Sequence, residues 1–403
     1  MDTNFKEKLI KTCLFTPGFD DGWGINMTFW GEPATVKSAL TVKVAAELGL
    51  VPIVLAPNGR AATDIIGLPY RNAEKGCTAY VPPEWAMDAA KIKHALIFID
   101  ERNTAPPSVQ APLLRMLRDK VVGDFQLPPE VRFLSACNPT EQAANGWDES
   151  AALANRSGHI TWLPPSPKDW ANAMGRKITA VPGSAEAKAH ISPDATVAQK
   201  LEAQVLKQWP EESAKAFALV SSYLERRPAM MHNCPKDGDP EASKSWPSAR
   251  TWELAVRGLA GGRIHGMDVN EQMQMVSAFV GETAACDFME WVTKQDLPNP
   301  VDLLTGKATF AHDRSRGDRT YAVLSSCTSL CKATVEKGKQ KAYVEATWKL
   351  IGVLSMTDPD TVVGAIGDLI RGEKEGMAKV RNADYRKVMD DFQDVVKMAH
   401  QAR

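Results

Sequence analysis

The chain has 403 residues, more than one hydrophobic core usually organises, so we expect two or three domains. Hydrophobic residues make up 44% of the sequence and charged residues 24%, which is ordinary globular usage and excludes a disordered or fibrous chain. A formal net charge of -1 does not favour a polyanionic partner, and no apolar stretch reaches the length of a membrane helix. We therefore expect neither a nucleic acid partner nor a membrane.

The N-terminus and the cysteines both bear on the compartment. The first residues, MDTNFKEKLIKTCLF, lack the apolar core and the cleavage site of a signal peptide, so a cytoplasmic location is expected. Seven cysteines do not suggest the paired framework of a secreted scaffold. Cys327 and Cys331 could share one helix face, but two thiols without nearby histidines make a poor metal site. We expect both thiols to be reduced and buried as small hydrophobic side chains.

The first part of the chain alternates short apolar runs with longer helical patterns, which predicts a sheet with helices packed on its faces. The runs are INMTFW, VPIVLA, ALIFI, VRFLSAC and HITWL, and they begin near Ile25, Val51, Ala95, Val131 and His159. Their helix-sized spacing suits right-handed crossovers between parallel strands. The sequence thus predicts an α/β domain with a five-stranded parallel sheet over residues 1–164.

The remainder of the chain is helical in pattern. The segments LEAQVLKQW, ESAKAFALVSSYL and ARTWELAVRGLAG show apolar residues recurring every three or four positions. The polar stretch NCPKDGDPEASKSWPS interrupts them and is typical of an exposed loop. We predict a helical domain over residues 165–265 and a further helical region, again amphipathic, over residues 266–403.

The segment FWGEPATVKSAL follows an apolar run and opens a helical pattern, which is the context that a phosphate-binding loop requires. In such a loop, backbone N–H groups and a helix N-terminus bind phosphate. Lys37 could reach the β- and γ-phosphates, and Ser38 could ligate Mg²⁺. The candidate nucleotide-binding residues are Gly31, Glu32, Pro33, Ala34, Thr35, Val36, Lys37, Ser38 and Ala39.

This loop departs from the usual GxxxxGK[ST] signature, because Val36 stands at the second glycine. A β-branched residue resists positive φ, so we expect Ala34 and Val36 to hold unstrained φ values. Glycine at either position should then lower stability slightly and leave nucleotide affinity unimproved. By itself, the loop could also be a chance surface turn.

Two further strand ends carry polar side chains. The run HALIFIDE ends in Asp100, a candidate Mg²⁺ ligand beside Ser38, and in Glu101, a candidate to orient and polarise an attacking water. The run VRFLSACNP ends in Asn138, whose amide can contact a γ-phosphate or position that water. A carboxylate pair that merely ends a strand in solvent, and an Asn-Pro turn, are the alternatives.

The segments FIDERNTAPPSVQAPLLRML, VVGDFQLPPEVRFLSACNP and GWDESAALANRSGHITW resemble the MoxR branch of the AAA+ ATPases. The resemblance implies a AAA+ P-loop αβα sandwich with an α-helical lid, and ATP or ADP with Mg²⁺ as cofactors. Asp100 and Glu101 would be the Walker B pair and Asn138 the first sensor. MoxR-like proteins often carry a small aliphatic residue where Val36 stands, whereas Ala34 departs from the pattern.

Two arginines match functional positions of the same family. Arg156, in LANRSGHI, matches the arginine that acts on the γ-phosphate of the neighbouring subunit. Arg250, in WPSARTWELAV, matches the second sensor at the start of a lid helix. A helix-capping role for Arg156, and a surface packing role for Arg250 between Trp246 and Trp252, are the alternatives.

The resemblance also implies a homo-oligomer, typically a hexameric ring, that remodels or activates a partner complex in a chaperone-like manner. Such ATPases often act beside a partner that bears a von Willebrand factor A domain. Ala34 and Val36 motivate the alternative, a nucleotide-binding scaffold with weak or no hydrolysis. A helicase or clamp loader on DNA is disfavoured by the near-neutral charge.

Two insertions, DIIGLPYRNAEKGCTAYVPPEWA and DKVVGDFQLPPEV, precede the Asp100 and Asn138 strands respectively. Both predict hairpins or loops. In related ATPases such hairpins face the central channel of the ring or a client protein, and ordinary connecting turns are the alternative.

Overall fold

A computed structural model describes residues 2–139, 147–168, 192–236, 239–295 and 297–393. The chain divides into two compact units, which are described separately below. The first comprises Met1–Lys207 and His232–Ala285, and the second comprises Gln208–Met231 and Cys286–Arg403. Domain boundaries after residues 164 and 265 remain a prediction from sequence.

The first unit is built on a parallel sheet. Its strands are β1 (Met27–Trp30), β2 (Val51–Leu55), β3 (Leu68–Asn72), β4 (Cys77–Val81), β5 (Ala95–Ile99), β6 (Val121–Val122), β7 (Phe125–Gln126), β8 (Arg132–Cys137) and β9 (Gly158–Thr161). Five of them form a parallel sheet in the order β2-β5-β8-β1-β9. The predicted α/β fold with five parallel strands is confirmed.

Helices make up most of the remaining regular structure. The helices that occur before the last sheet strand in the chain are α1 (Thr3–Phe15), α2 (Lys37–Glu47), α3 (Ala62–Ile66), α4 (Glu84–Ile92), α5 (Pro107–Asp119) and α6 (Ala151–Ala154). A short 3-10 turn covers Arg102–Thr104. The later helices are α7 (Ala195–Arg226), α8 (Ala249–Ile264), α9 (Val269–Val280), α10 (Glu282–Gln295), α11 (Pro300–Leu304), α12 (Gly317–Ala333), α13 (Lys337–Leu354), α14 (Pro359–Lys374) and α15 (Ala383–Asp391). The predicted helical character of the C-terminal region is confirmed.

Strand β5 shows how the sheet is covered on both faces. Ala95, Ile97 and Ile99 alternate along the strand and pack into one apolar cluster with residues of α4 and α5. Leu96 and Phe98 lie on the opposite face because successive side chains of a strand point to opposite sides. All five side chains are buried, as expected for a central strand of a parallel sheet.

The strand order positions the functional edge of the sheet. Strand β1 lies between β8 and β9, although it precedes both in the chain. The direction of winding therefore reverses around β1, and ligands of open α/β sheets bind at the carboxyl ends of strands near such a reversal. The turns that follow β1, β5 and β8 meet at this edge.

Both predicted insertions form hairpins. Strands β3 and β4 pair antiparallel from Leu68 with Val81 to Asn72 with Cys77. Strands β6 and β7 pair antiparallel around a two-residue turn, with Val122 opposite Phe125. The structure thus confirms the hairpin form, whereas the proteins that these hairpins contact remain a prediction.

The second unit has its own helical core, which includes Cys327 and Cys331. Both thiols are buried, and burial raises the pKa of Cys327 and raises that of Cys331 to about 12. They therefore stay protonated and pack as small hydrophobic side chains, as predicted. Across the described ranges, no group of three or more His, Cys, Asp or Glu side chains could hold a metal ion.

Among the helices in the described part of the chain, none combines the length and the apolar character needed to cross a bilayer.

Candidate functional site

The polar side chains predicted at three strand ends come together at the carboxyl edge of the sheet. The Ser38 hydroxyl donates to Asp100 Oδ2 at 2.7 Å, and Lys37 Nζ donates to Asn138 Oδ1 at 2.9 Å. The amide nitrogen of Asn138 lies 3.5 Å from Glu101 Oε1. These five residues therefore form one connected group, although they come from three separate segments of the chain.

The loop between β1 and α2 has left-handed backbone at two non-glycine residues. Ala34 has a φ of 63° and Val36 a φ of 66°. The expectation of unstrained φ values is therefore wrong. Left-handed residues within such a turn gather successive N–H groups on one concave side, and this geometry requires positive φ whatever the side chain. Val36 is the N-cap of α2 and provides no side-chain cap, so no capping side chain of Val36 occupies the first N–H groups of the helix.

Trp162, which follows β9, supports this loop. Its indole Nε1 donates to the Thr35 carbonyl at 3.1 Å. A Cβ atom added at Gly31 would lie 2.4 Å from the Trp162 carbonyl oxygen, so only glycine fits there. The Thr35 hydroxyl closes the loop by donating to the Glu32 carbonyl at 2.8 Å. The sequence did not indicate this role of Trp162, since its only signal is a tryptophan at the end of an apolar run.

The Lys37 ammonium group lies inside the loop. Nζ donates to the Gly31 carbonyl at 2.6 Å and to the Glu32 carbonyl at 2.8 Å. Burial lowers the pKa of Lys37, although the negative charges of Asp100 and Glu101 act in the opposite direction. The loop therefore combines a buried ammonium with a helix N-terminus, which together attract an anion.

The Ser38 and Asp100 side chains fit a magnesium ion. They offer a hydroxyl and a carboxylate oxygen that already lie within 2.7 Å of each other. Mg²⁺ prefers oxygen ligands and is usually held by one or two protein groups, with waters and substrate phosphates completing the octahedron. This pair beside a phosphate-binding loop meets that requirement.

Arg156 and Arg250 lie together in a positively charged region of the first unit. Arg156 donates to the Ala152 carbonyl, and Arg250 Nη1 donates to Asn155 Oδ1 at 3.2 Å. Burial lowers the pKa of Arg156, and the charges of Arg250 and Arg118 lower it further, whereas the charge of Asp119 acts in the opposite direction. Within the described residues, neither Arg156 nor Arg250 hydrogen-bonds to the residue 31–38 loop or to the carboxylates that follow β5. The sensor and trans-acting roles of these arginines remain predictions.

The left-handed backbone at Val36 leads to a stability prediction. A non-glycine residue in the left-handed region costs about 1–2 kcal/mol of stability. Glycine avoids this cost, but it also raises the conformational entropy of the unfolded chain, which offsets part of the gain. Val36→Gly should therefore raise the free energy of unfolding by about 1 kcal/mol, as measured by urea denaturation. The matched control is Val335→Gly, at an exposed valine outside the left-handed region. Equal destabilisation by both substitutions would contradict the claim that the backbone of Val36 is strained.

Comparisons with known proteins do not assign this chain to a family. No protein-family model matches the chain, and no curated protein matches it. One similar solved structure is a candidate ATPase from Cytophaga hutchinsonii, which is 15% identical, with 71% of this chain and 86% of that chain covered and a TM-score of 0.44. This likeness is too distant to assign a function or a residue role to the present chain.

Proposed function

We propose that this chain binds ATP or ADP with Mg²⁺ and hydrolyses ATP. The observation that supports this function is the convergence of Lys37, Ser38, Asp100, Glu101 and Asn138 beside a loop whose backbone is shaped for an anion. Phosphoryl transfer depends mainly on positioning and charge neutralisation, and these residues supply both. When bound, Mg²⁺ would neutralise charge on the phosphate oxygens.

Each side chain has a distinct task in this proposal. Lys37 pairs with the β- and γ-phosphates, and Ser38 and Asp100 hold the metal. The Glu101 carboxylate orients the attacking water and accepts a hydrogen bond from it. Asn138 lies between Lys37 and Glu101, so its amide can align the γ-phosphate with that water.

Arg156 supports an oligomeric enzyme. Arg156 and Arg250 share a positively charged region and do not hydrogen-bond to the described residues of their own phosphate loop. Arginine charge at a γ-phosphate accelerates hydrolysis strongly, so we assign Arg156 to the site of a neighbouring subunit and Arg250 to the second sensor at the start of α8. By resemblance to the MoxR branch of the AAA+ ATPases, the assembly would be a homo-oligomeric, hexameric ring.

A role in remodelling a partner complex is supported by the β3–β4 hairpin. Three large apolar side chains are exposed on it: Leu68 by 64%, Tyr70 by 43% and Val81 by 52%. Exposed apolar side chains that form a contiguous group often mark the surface to which another protein binds. We therefore propose a client protein as the partner of this hairpin, acting beside a von Willebrand factor A domain protein as in the MoxR-like ATPases.

Replacement of Lys37 tests nucleotide binding directly. Loss of a hydrogen bond to a charged group costs about 1.5–3 kcal/mol, so Lys37→Met should weaken ATP binding by about 10- to 100-fold in a fluorescent nucleotide titration. The matched control is Lys43→Met in the same helix, because Lys43 is exposed and pairs only with Glu47 among the described residues. Binding by Lys37→Met equal to that of the parent would overturn the proposed site.

A further inference from the structure

Arg102 forms a buried ion pair directly behind the proposed active site. Its Nε donates to Glu149 Oε1 at 2.7 Å and its Nη2 donates to Glu149 Oε2 at 2.6 Å. Both side chains are completely buried. Burial alone would lower the pKa of Arg102 and raise that of Glu149, but each charge reverses the effect on its partner, so both stay ionised.

One side of this pair fixes the turn that carries Glu101. Arg102 follows Glu101 in a short 3-10 turn, in which Glu101 has left-handed backbone with a φ of 51°. The Thr104 hydroxyl donates to the Glu101 carbonyl at 2.7 Å. The Asn103 amide donates to the Asn138 carbonyl at 2.8 Å, which joins this turn to the end of β8. Anchoring Arg102 therefore limits where the Glu101 carboxylate can lie.

The other side of the pair reaches the segment that carries Arg156. Arg102 Nη1 donates to the Ser157 hydroxyl at 2.9 Å, and Ser157 is the next residue after Arg156. The Glu149 carbonyl accepts a hydrogen bond from the Ser243 hydroxyl at 2.9 Å, in the turn that leads to α8 and Arg250. The same ion pair is thus attached to both segments that supply the arginines.

A buried ion pair contributes little net stability compared with apolar side chains of similar volume, whereas its two-pronged hydrogen bonding fixes orientation. We propose that the Arg102–Glu149 ion pair is a positioning device that sets Glu101 in its own site and Arg156 for the neighbouring site at the same time. This inference rests on the proposed function. Neither residue contacts the nucleotide in this proposal, so both are positioning residues.

The test replaces both charges together, because removing one alone leaves an unpaired buried charge. In Arg102→Met/Glu149→Leu, we expect the melting temperature and the ATP dissociation constant to stay near those of the parent. The kcat for ATP should fall by about 100-fold, as expected when catalytic groups lose their alignment, with KM little changed. Turnover equal to that of the parent would overturn the inference.

The matched control is a second ion pair, between the buried Arg132 of β8 and the partly buried Glu202 of α7. Arg132 begins β8, at the end opposite Asn138, and pairs with Glu202. Arg132→Met/Glu202→Leu should therefore leave ATP turnover near that of the parent. If the Arg102 double variant fails to fold, Arg102→Lys carries the test, because lysine keeps the charge but not the two-pronged geometry. Full kcat in a folded Arg102→Lys would also overturn the inference.

Mixing experiments test whether the pair serves both sites. A chain that is defective only in Glu101 placement should regain activity when mixed with Arg156→Ala chains, since these retain Glu101. If the ion pair positions both residues, Arg102→Met/Glu149→Leu chains lack a correctly placed Glu101 and a correctly placed Arg156. We therefore expect no recovery of activity when they are mixed with Arg156→Ala chains or with Glu101→Gln chains. Recovery in either mixture would show that the pair does not position both residues. A parent chain without ATP turnover would instead refute the proposed function, and the inference with it.

Discussion

Glu101→Gln should reduce steady-state ATP hydrolysis by at least about 100-fold, because positioned acid–base groups contribute factors of this size or more. The amide has the same shape as the carboxylate, so the contact with Asn138 can persist while the ability to polarise water is lost. Nucleotide binding should survive, since Lys37 and the loop are unchanged. Phosphate release in the presence of Mg²⁺, together with an ATP binding titration, measures both quantities.

The matched control for this substitution is Glu74→Gln, at an exposed glutamate in the turn of the β3–β4 hairpin. Its turnover should equal that of the parent. Chelation of Mg²⁺ should abolish hydrolysis in both, because Ser38 and Asp100 would then have no ion to hold. A parent chain that binds ATP but turns it over no faster than Glu101→Gln would be a nucleotide-binding scaffold, the alternative that Ala34 and Val36 suggested.

The sheet and the composition of its edge could be predicted because their signals are local. Each strand of the parallel sheet is a short apolar run between polar or turn-forming segments. Strand β5 is apolar at every position because both of its faces are covered. Polar residues directly after such runs must meet at one edge when the strands are parallel. For this reason the sequence could predict that Lys37, Asp100 and Asn138 lie at one edge of the sheet.

The backbone of the phosphate loop could not be predicted in the same way. Local preference argues against positive φ at Val36, yet the residue adopts it. Support comes from a distant part of the chain, since Trp162 holds the Thr35 carbonyl and closes over Gly31. Tertiary contacts therefore override the preference of the residue itself, and no local pattern reveals them.

The Arg102–Glu149 pair was missed for a related reason. The two residues are separated by 47 positions, and the sequence marks neither of them as buried. An arginine after two acidic residues is more simply interpreted as part of a solvated strand end. The packing around the five-stranded sheet, which the sequence does not reveal, buries this charge beneath the site instead of exposing it to the nucleotide.

Arg156→Ala should lower ATP turnover by about 1000-fold if its guanidinium acts at a γ-phosphate, as arginines supplied in this way do. The matched control is Arg118→Ala, which removes a half-exposed charge from the same region and should have a small effect. An equal loss in both variants would show that the general positive charge matters rather than this side chain. Phosphate release from assembled protein provides the measurement.

Mixing then shows whether Arg156 acts on its own subunit or on the next one. Neither Arg156→Ala chains nor Glu101→Gln chains should hydrolyse ATP alone, but a mixed ring contains interfaces with an intact Glu101 on one chain and an intact Arg156 on its neighbour. Those interfaces should recover activity once subunits exchange. Because a guanidinium supplied by a neighbour is lost when the ring dissociates, the specific activity of the parent should also fall on dilution. Labelled subunits show whether the chains exchange between rings. If they exchange, the mixture stays inactive and the specific activity of the parent does not change on dilution, then Arg156 does not act across a subunit boundary.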